Sequence, residues 1–379
     1  MGEIVAEDPL FESYQLGPLL LRNRIVMAPM TRNRSTFDRI PTDLMRDYYG
    51  QRASAGLIIS EGIIPDAPGR AYMCVPGLYN EAQVEAWRPI TSAVHEKGGL
   101  IFAQLMHGGR ISHASFLDGD VPIAPSAVAA RGEVFTAEGL LPFPEPQAMT
   151  EDQIIATVEG YGAAASNAIR AGFDGIEIHA ASGYLPSQFL STNANRRTDD
   201  WGGSIEGRAR FVLAVTDRVS EAVGAERVGV RVSPGFGFND IEELDPVGIY
   251  SYLAEQLGSR GIAYIHVIDA GSEFEPLDII SRAFKGTIIA NRAYDKMRAV
   301  KELEGDRAQL ISFGEAFVSN PDLPERLAGD LPLAIADRAT FYTPGSKGYT
   351  DYPPYSVESA NSSEKGGIPL QFTVERGRQ

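Results

Sequence analysis

The sequence predicts an α/β protein built as a (β/α)8 TIM barrel, on three observations. Eight apolar, β-rich runs recur along the chain, helical candidates lie between them, and chemically capable side chains gather at the runs' carboxyl ends. The runs are IVMAPM ending at Met30, GLIISEG at Gly62, LIFAQL at Leu105 and GIEIHA at Ala180. VGVRVS follows, ending at Ser233, then AYIHVID at Asp269, TIIAN at Asn291 and QLISFG at Gly314. Continuous apolar runs suit strands buried on both faces, as in a parallel sheet covered by helices. Helices are expected over 43–54, 81–97, 151–171, 205–223, 246–260, 294–304 and 321–329. Thr150 followed by Glu151 and Asp152, and Asp245 before Pro246, are start signals for two of them.

Residues 107–150 break the rhythm. PIAPSAVAARGEVF and GLLPFPEPQAM carry many prolines and no long helical period. A connection this long inside a compact domain is usually functional, so a capping excursion over the barrel mouth, with a small hairpin, is expected after the third strand. Residues 1–355 then form one barrel domain, and 356–379 a polar C-terminal tail.

Composition narrows the partners. The 379 residues are 44% hydrophobic and 22% charged, and 34 basic against 50 acidic side chains give a formal charge of −16. That charge argues against nucleic acid and anionic membranes, which it would repel, and leaves a small-molecule substrate. No apolar run is long enough to cross a bilayer. The start MGEIVAEDPLFESYQLG has neither a signal-peptide pattern nor a myristoylation motif. The lone Cys74 cannot form an internal disulfide, and the reading is a cytoplasmic protein, monomeric or homodimeric.

The barrel mouth is where such folds keep their chemistry. Here it receives Pro29, Met30 and Thr31, Glu61 and Gly62, Gln104 and His107, then His179, Ser182 and Tyr184. Arg231, Asn291, Arg292, Gly314 and Glu315 complete the set. No His, Asp and Glu cluster has metal-binding density, and no nucleophile sits beside a base. The set instead offers donors and acceptors for a planar polar cofactor, with one imidazole and one phenol as acids. His113 and His266 read as structural and His95 as a helix-surface residue.

NRIVMAPMTRNRS, FAQLMHGGR, IHAASGYLPSQFLSTNANRRTDDWGGSIEGRARF, VRVSP, SNPDLPERL and GYTDYPPYS resemble the old yellow enzyme family of FMN-dependent ene-reductases, in order, from about residue 9 to 355. The resemblance implies that Thr31 hydrogen-bonds the flavin near its C4 carbonyl, that Pro29 and Met30 line the ring, and that Gly62 lets the backbone approach it. Gln104 and Arg231 would hold the pyrimidine edge, Arg231 favouring the reduced anion. His179 would donate to the substrate's carbonyl or nitro oxygen and Tyr184 to the carbon α to it. Met106, Phe238 and Tyr349 would shape the substrate pocket. NAD(P)H would reduce the flavin and leave, and an activated alkene would then take the hydride at its β-carbon.

Two positions depart from the family pattern. Ser182 stands where asparagine or histidine usually completes a two-donor clamp with His179, and its shorter side chain loosens that clamp. At the expected phosphate end, Glu315 replaces an arginine, and Asn291-Arg292 replaces a glycine-containing turn. A carboxylate aimed at a dianion ~4 Å away costs roughly 8 kcal/mol at an effective dielectric of 20, so Glu315 cannot face a bound phosphate. Three arrangements remain open: Glu315 turned to solvent with Arg292 and Gly314 at the phosphate, an Arg292–Glu315 pair filling the site, or Glu315 capping the helix start. Two functions accordingly stand beside the ene-reductase: a flavin-independent isomerase, dehydratase or cyclase using His179 and Tyr184, and a non-catalytic small-molecule binder.

Overall fold

The computed structural model describes residues 8–271 and 274–356; the expected tail beyond Ser356 lies outside them. Eight parallel strands close into a barrel in chain order: β1 (Ile25–Met27), β2 (Leu57–Ile63), β3 (Ile101–Leu105), β4 (Gly175–Ala180), β5 (Val228–Val232), β6 (Tyr264–Ile268), β7 (Thr287–Asn291) and β8 (Leu310–Phe313). Their residues are buried apart from half-buried Thr287, which is why the sequence shows apolar runs rather than alternation. Seven strands end within a residue of the predicted position. β1 stops three residues early, at Met27, because Pro29 has no N–H to extend a ladder.

All seven predicted helices form: α1 (Asp43–Gln51), α2 (Glu81–His95), α3 (Glu151–Arg170), α5 (Ile205–Val223), α6 (Pro246–Ser259), α8 (Lys296–Glu304) and α10 (Leu323–Ala328). Three more were not expected: α4 (Leu185–Leu190), α7 (Pro276–Ala283) and α9 (Glu315–Ser319). The predicted start signals act as caps. Thr150 and Gln153 form a reciprocal capping box, and Asp245 accepts from the Gly248 N–H at 2.8 Å. Asp295 likewise caps α8, which moves its start from 294 to Lys296. No helix among the described residues is long and apolar enough to cross a membrane.

The 107–150 excursion contains the hairpin, Glu133–Thr136 against Gly139–Pro142, and a short parallel pair, Ile123–Ala124 with Gln147–Ala148. An N-terminal hairpin that the sequence reading missed, Tyr14–Leu16 with Leu19–Leu21, packs Leu16 and Leu21 against Val26, Leu57, Phe102, Tyr264 and Leu310. It plugs the end of the barrel opposite the mouth.

Inside the barrel the side chains form layers that grow more polar toward the mouth. Phe102 and Tyr264 lie lowest, with ring centroids 6.0 Å apart. Above them, Glu177 accepts from Gln104 Nε2 at 2.8 Å, Tyr264 Oη at 3.1 Å and His266 Nδ1 at 2.8 Å. His266 Nε2 reaches the Ser312 hydroxyl, also at 2.8 Å. Burial alone would raise the Glu177 carboxyl, but His266 and Arg231 bring it below the usual carboxylate range. A buried network satisfied to this degree holds its members in fixed positions.

Candidate active site

His179 is the penultimate residue of β4, and strand register sets it beside Arg231 of β5, which is itself in register with His266 of β6. Burial, the Arg231 cation and His266 hold the His179 imidazole well below its ordinary pKa, so the ring is neutral at physiological pH. The Ala181 N–H approaches His179 Nδ1 at 3.4 Å, which assigns the ring proton to Nε2. The Nε2–H has no acceptor among the described residues and is available to a substrate oxygen.

Tyr184 stands at the start of α4, and its ring meets His179 edge-on at 4.8 Å. Its hydroxyl lies 3.0 Å from that of Tyr72. Burial and the Tyr72 phenol push its pKa well above the ordinary value, so the hydroxyl keeps its proton. The predicted acid pair is therefore assembled. Ser182 between them adopts a left-handed φ of 56°. Its N–H donates to Ser233 Oγ at 2.9 Å, and its carbonyl accepts from Asn239 Nδ2 at 2.8 Å.

Below this pair, Arg231 donates to Asn291 Oδ1 at 2.8 Å, while its buried Nε has no partner. An orphaned guanidinium N–H at a barrel mouth fits an acceptor on a bound planar group. Gln104 sits in the same place but spends its amino group on Glu177. Pro29, Met30 and Thr31 are half-buried along the rim. A Cβ on Gly314 would lie 3.6 Å from Met30 Sδ, so the ends of β1 and β8 adjoin there. At the expected phosphate end, Glu315 turns outward to Arg338 at 2.8 and 3.0 Å. Arg292 lies 4.6 Å over the Phe236 ring and has no carboxylate partner among the described residues. Glu315 is turned away, as in the first arrangement, but to Arg338 rather than to solvent. The residues thus fit a planar group with an anionic tail.

Several expectations need correction. Tyr349 does not line a pocket: it is fully buried, stacked on Tyr48 at 4.1 Å and faced by the Arg32 and Arg34 guanidiniums. Tyr342, in the same loop, is 65% exposed and acts electrostatically on both Tyr72 and Tyr184. Nothing periodic in that loop distinguishes the two tyrosines. Gly62 follows a register shift in β2, and a Cβ there would meet Met106 Sδ at 2.6 Å. Its missing side chain makes room for Met106, which is 1% exposed and packs with Tyr184 in the wall. Phe238 is half exposed and stacks on Phe236 at 5.7 Å, at the rim. His266 is structural, as expected, but as a node of the Glu177 network. Tyr72 and Asn239 were missed because they come from loops.

Glu61 also leaves the mouth. It points outward to α1, where Tyr49 Oη lies 3.3 Å from its carboxylate, and burial raises its pKa to about 7. Its unfolded value is near 4.5, so between these two values the native state holds the extra proton. Stability from this group is complete below pH 4.5 and falls as pH rises toward 7, by about 3 kcal/mol. Glu61→Gln removes the titration. Its stability relative to the parent should therefore rise by about that amount between pH 5 and pH 8 in urea unfolding; a constant difference would refute the assignment.

The profile of the NADH:flavin oxidoreductase / NADH oxidase family matches residues 9–334. The chain is 42% identical to a probable flavin mononucleotide-dependent alkene reductase of Leishmania infantum, over 91% of this chain and 97% of that one. Among solved structures, morphinone reductase in complex with tetrahydroNAD superposes with a TM-score of 0.88 at 45% identity, covering 92% of this chain and 98% of that one. An old yellow enzyme homologue from Zymomonas mobilis gives 0.89 at 41% identity, covering 91% and 99%.

Proposed function

The chain belongs to the NADH:flavin oxidoreductase / NADH oxidase family, with the old yellow enzymes, and on that premise we propose that it is an FMN-dependent ene-reductase. Its substrates are α,β-unsaturated carbonyl or nitro compounds, reduced at C=C with electrons from NAD(P)H. The observation that carries this reading is the neutral His179 and protonated Tyr184, rings 4.8 Å apart, above an Arg231 Nε without a partner.

FMN, when bound, supplies the hydride chemistry. Arg231 and Gln104 would face its pyrimidine edge, Thr31, Met30 and Pro29 its ring, and Arg292 with Gly314 its phosphate. His179 Nε2–H donates to the substrate oxygen, where negative charge grows as the β-carbon is reduced. One preset donor of this kind lowers the barrier by about 3 kcal/mol. Ser182 is the second group at that oxygen, and Tyr184 delivers the proton to the α-carbon. Phe238 and Tyr342 border the substrate's approach. The single unpaired Cys74 supports a cytoplasmic setting.

The flavin-free alternatives lose their motive, since Glu315 is drawn off by Arg338 and Arg292 has no carboxylate partner among the described residues. Purified protein should be yellow, absorb in the blue and consume NAD(P)H when a cyclic enone is added. A colourless protein that gains no spectrum with FMN would sink the proposal.

A further inference from the structure

The loops after β7 and β8, together with a short helix, are where barrels of this class commonly hold a phosphate. In this chain both loops are unusual. After β7, Arg292 and Ala293 take φ values of 101° and 53°, conformations that glycine adopts more readily. Arg298 holds that turn, donating to the Arg292 and Ala293 carbonyls at 3.1 and 3.3 Å while its other arm reaches Asp269 at 3.1 Å. After β8, α9 begins with a carboxylate, Glu315, whose two oxygens accept from Arg338 Nε and Nη2. Arg298 is thus committed to Asp269 and Arg338 to Glu315, and among the described residues Arg292 has no carboxylate partner. The affinity contributed by a flavin's phosphate then depends on how fully Arg338 cancels Glu315.

Resting on the ene-reductase reading, we propose that the Glu315–Arg338 ion pair sets the selectivity of this chain between flavins, Glu315 lowering its preference for FMN over riboflavin and Arg338 restoring part of it. Riboflavin carries the same ring without the phosphate, so it senses every contact except this one. Releasing Glu315 from Arg338 places an uncompensated negative charge beside the dianion, whereas neutralising Glu315 frees Arg338 to attract it. Each change shifts FMN binding about three- to tenfold in opposite directions at low salt, the scale of a unit charge acting on a dianion across several ångströms of water. Salt near 0.5 M shrinks both shifts.

The parent protein, Arg338→Gln and Glu315→Gln are each equilibrated with equimolar FMN and riboflavin at low and high salt. Protein is then separated by gel filtration, and the retained flavins are resolved chromatographically. The expected FMN-to-riboflavin ratio falls in Arg338→Gln, rises in Glu315→Gln, and converges on the parent value at high salt. Both side chains are solvent-exposed, at 77% and 48%, so both variants should fold, and retained riboflavin reports that they have. A ratio unmoved by either substitution overturns the inference while leaving the ene-reductase reading in place. A parent protein that retains neither flavin overturns both.

Discussion

His179→Ala is expected to lower the rate of enone reduction by about 10²- to 10³-fold, as read in single turnover after the flavin has been reduced. The imidazole is 6% exposed, so its Nε2–H would meet a substrate oxygen in a site largely closed to water, where one donor counts for more than it would in solution. The alternative role, general acid from an imidazolium, makes a different pH prediction. Burial, Arg231 and His266 hold the His179 pKa well below 6.5, so the ring is already neutral throughout the range from pH 6.5 to 8. The rate should then be flat across that range, because the proton donated in the hydrogen bond never leaves. An imidazolium acid would instead lose rate as pH rises through its pKa. His179→Gln keeps an N–H donor on a side chain of similar reach and should recover part of the loss. Equal loss in the Gln and Ala variants would mean that the ring matters for packing against Tyr184 rather than for its proton.

The barrel was legible because its strands are buried on both faces, which leaves uninterrupted apolar runs that turn residues punctuate. His179, Arg231 and Asn291 were legible for the same reason, each lying at or beside a strand end whose position the run fixes. Tyr184 follows β4 closely, at the start of α4, too short a distance for the chain to carry it elsewhere. What escaped has no local signal. All six residues of α4 are buried, so no polar face marks the helix. Tyr72 reaches Tyr184 across 112 positions from an irregular loop, and Arg338 reaches Glu315 across 23 from a single 3-10 turn, Arg338–Thr340. Placing Tyr349 at the substrate pocket failed for this reason too: packing against Arg32, Arg34 and Tyr48 buries it in the core. Only tertiary contacts carry that information.

Tyr184→Phe should cost about 10²- to 10⁴-fold in the same single-turnover step, with little loss of stability. The ring keeps its edge-on contact with His179, and only a hydroxyl is removed, whose partner Tyr72 is half-buried and can turn to water. Losing that hydrogen bond costs about 1 kcal/mol of folding free energy, too little to explain the kinetic defect. Burial and Tyr72 hold the Tyr184 phenol well above its usual pKa, which makes it a reluctant acid that reacts only with a strong base. An enolate formed by hydride addition is such a base, so the proton moves after, or together with, the hydride and never before it. The reaction in D2O should therefore place deuterium at the α-carbon and be slower than in water. Tyr72→Phe tests the same logic from the other side. It removes the hydroxyl 3.0 Å away that helps hold the Tyr184 pKa up, so Tyr184 becomes a readier acid. The rate should therefore hold at or above the parent's, with deuterium still delivered at the α-carbon. If Tyr184→Phe instead turns over at the parent rate with an unchanged solvent isotope effect, the proton comes from water, and Tyr184 is a wall of the pocket.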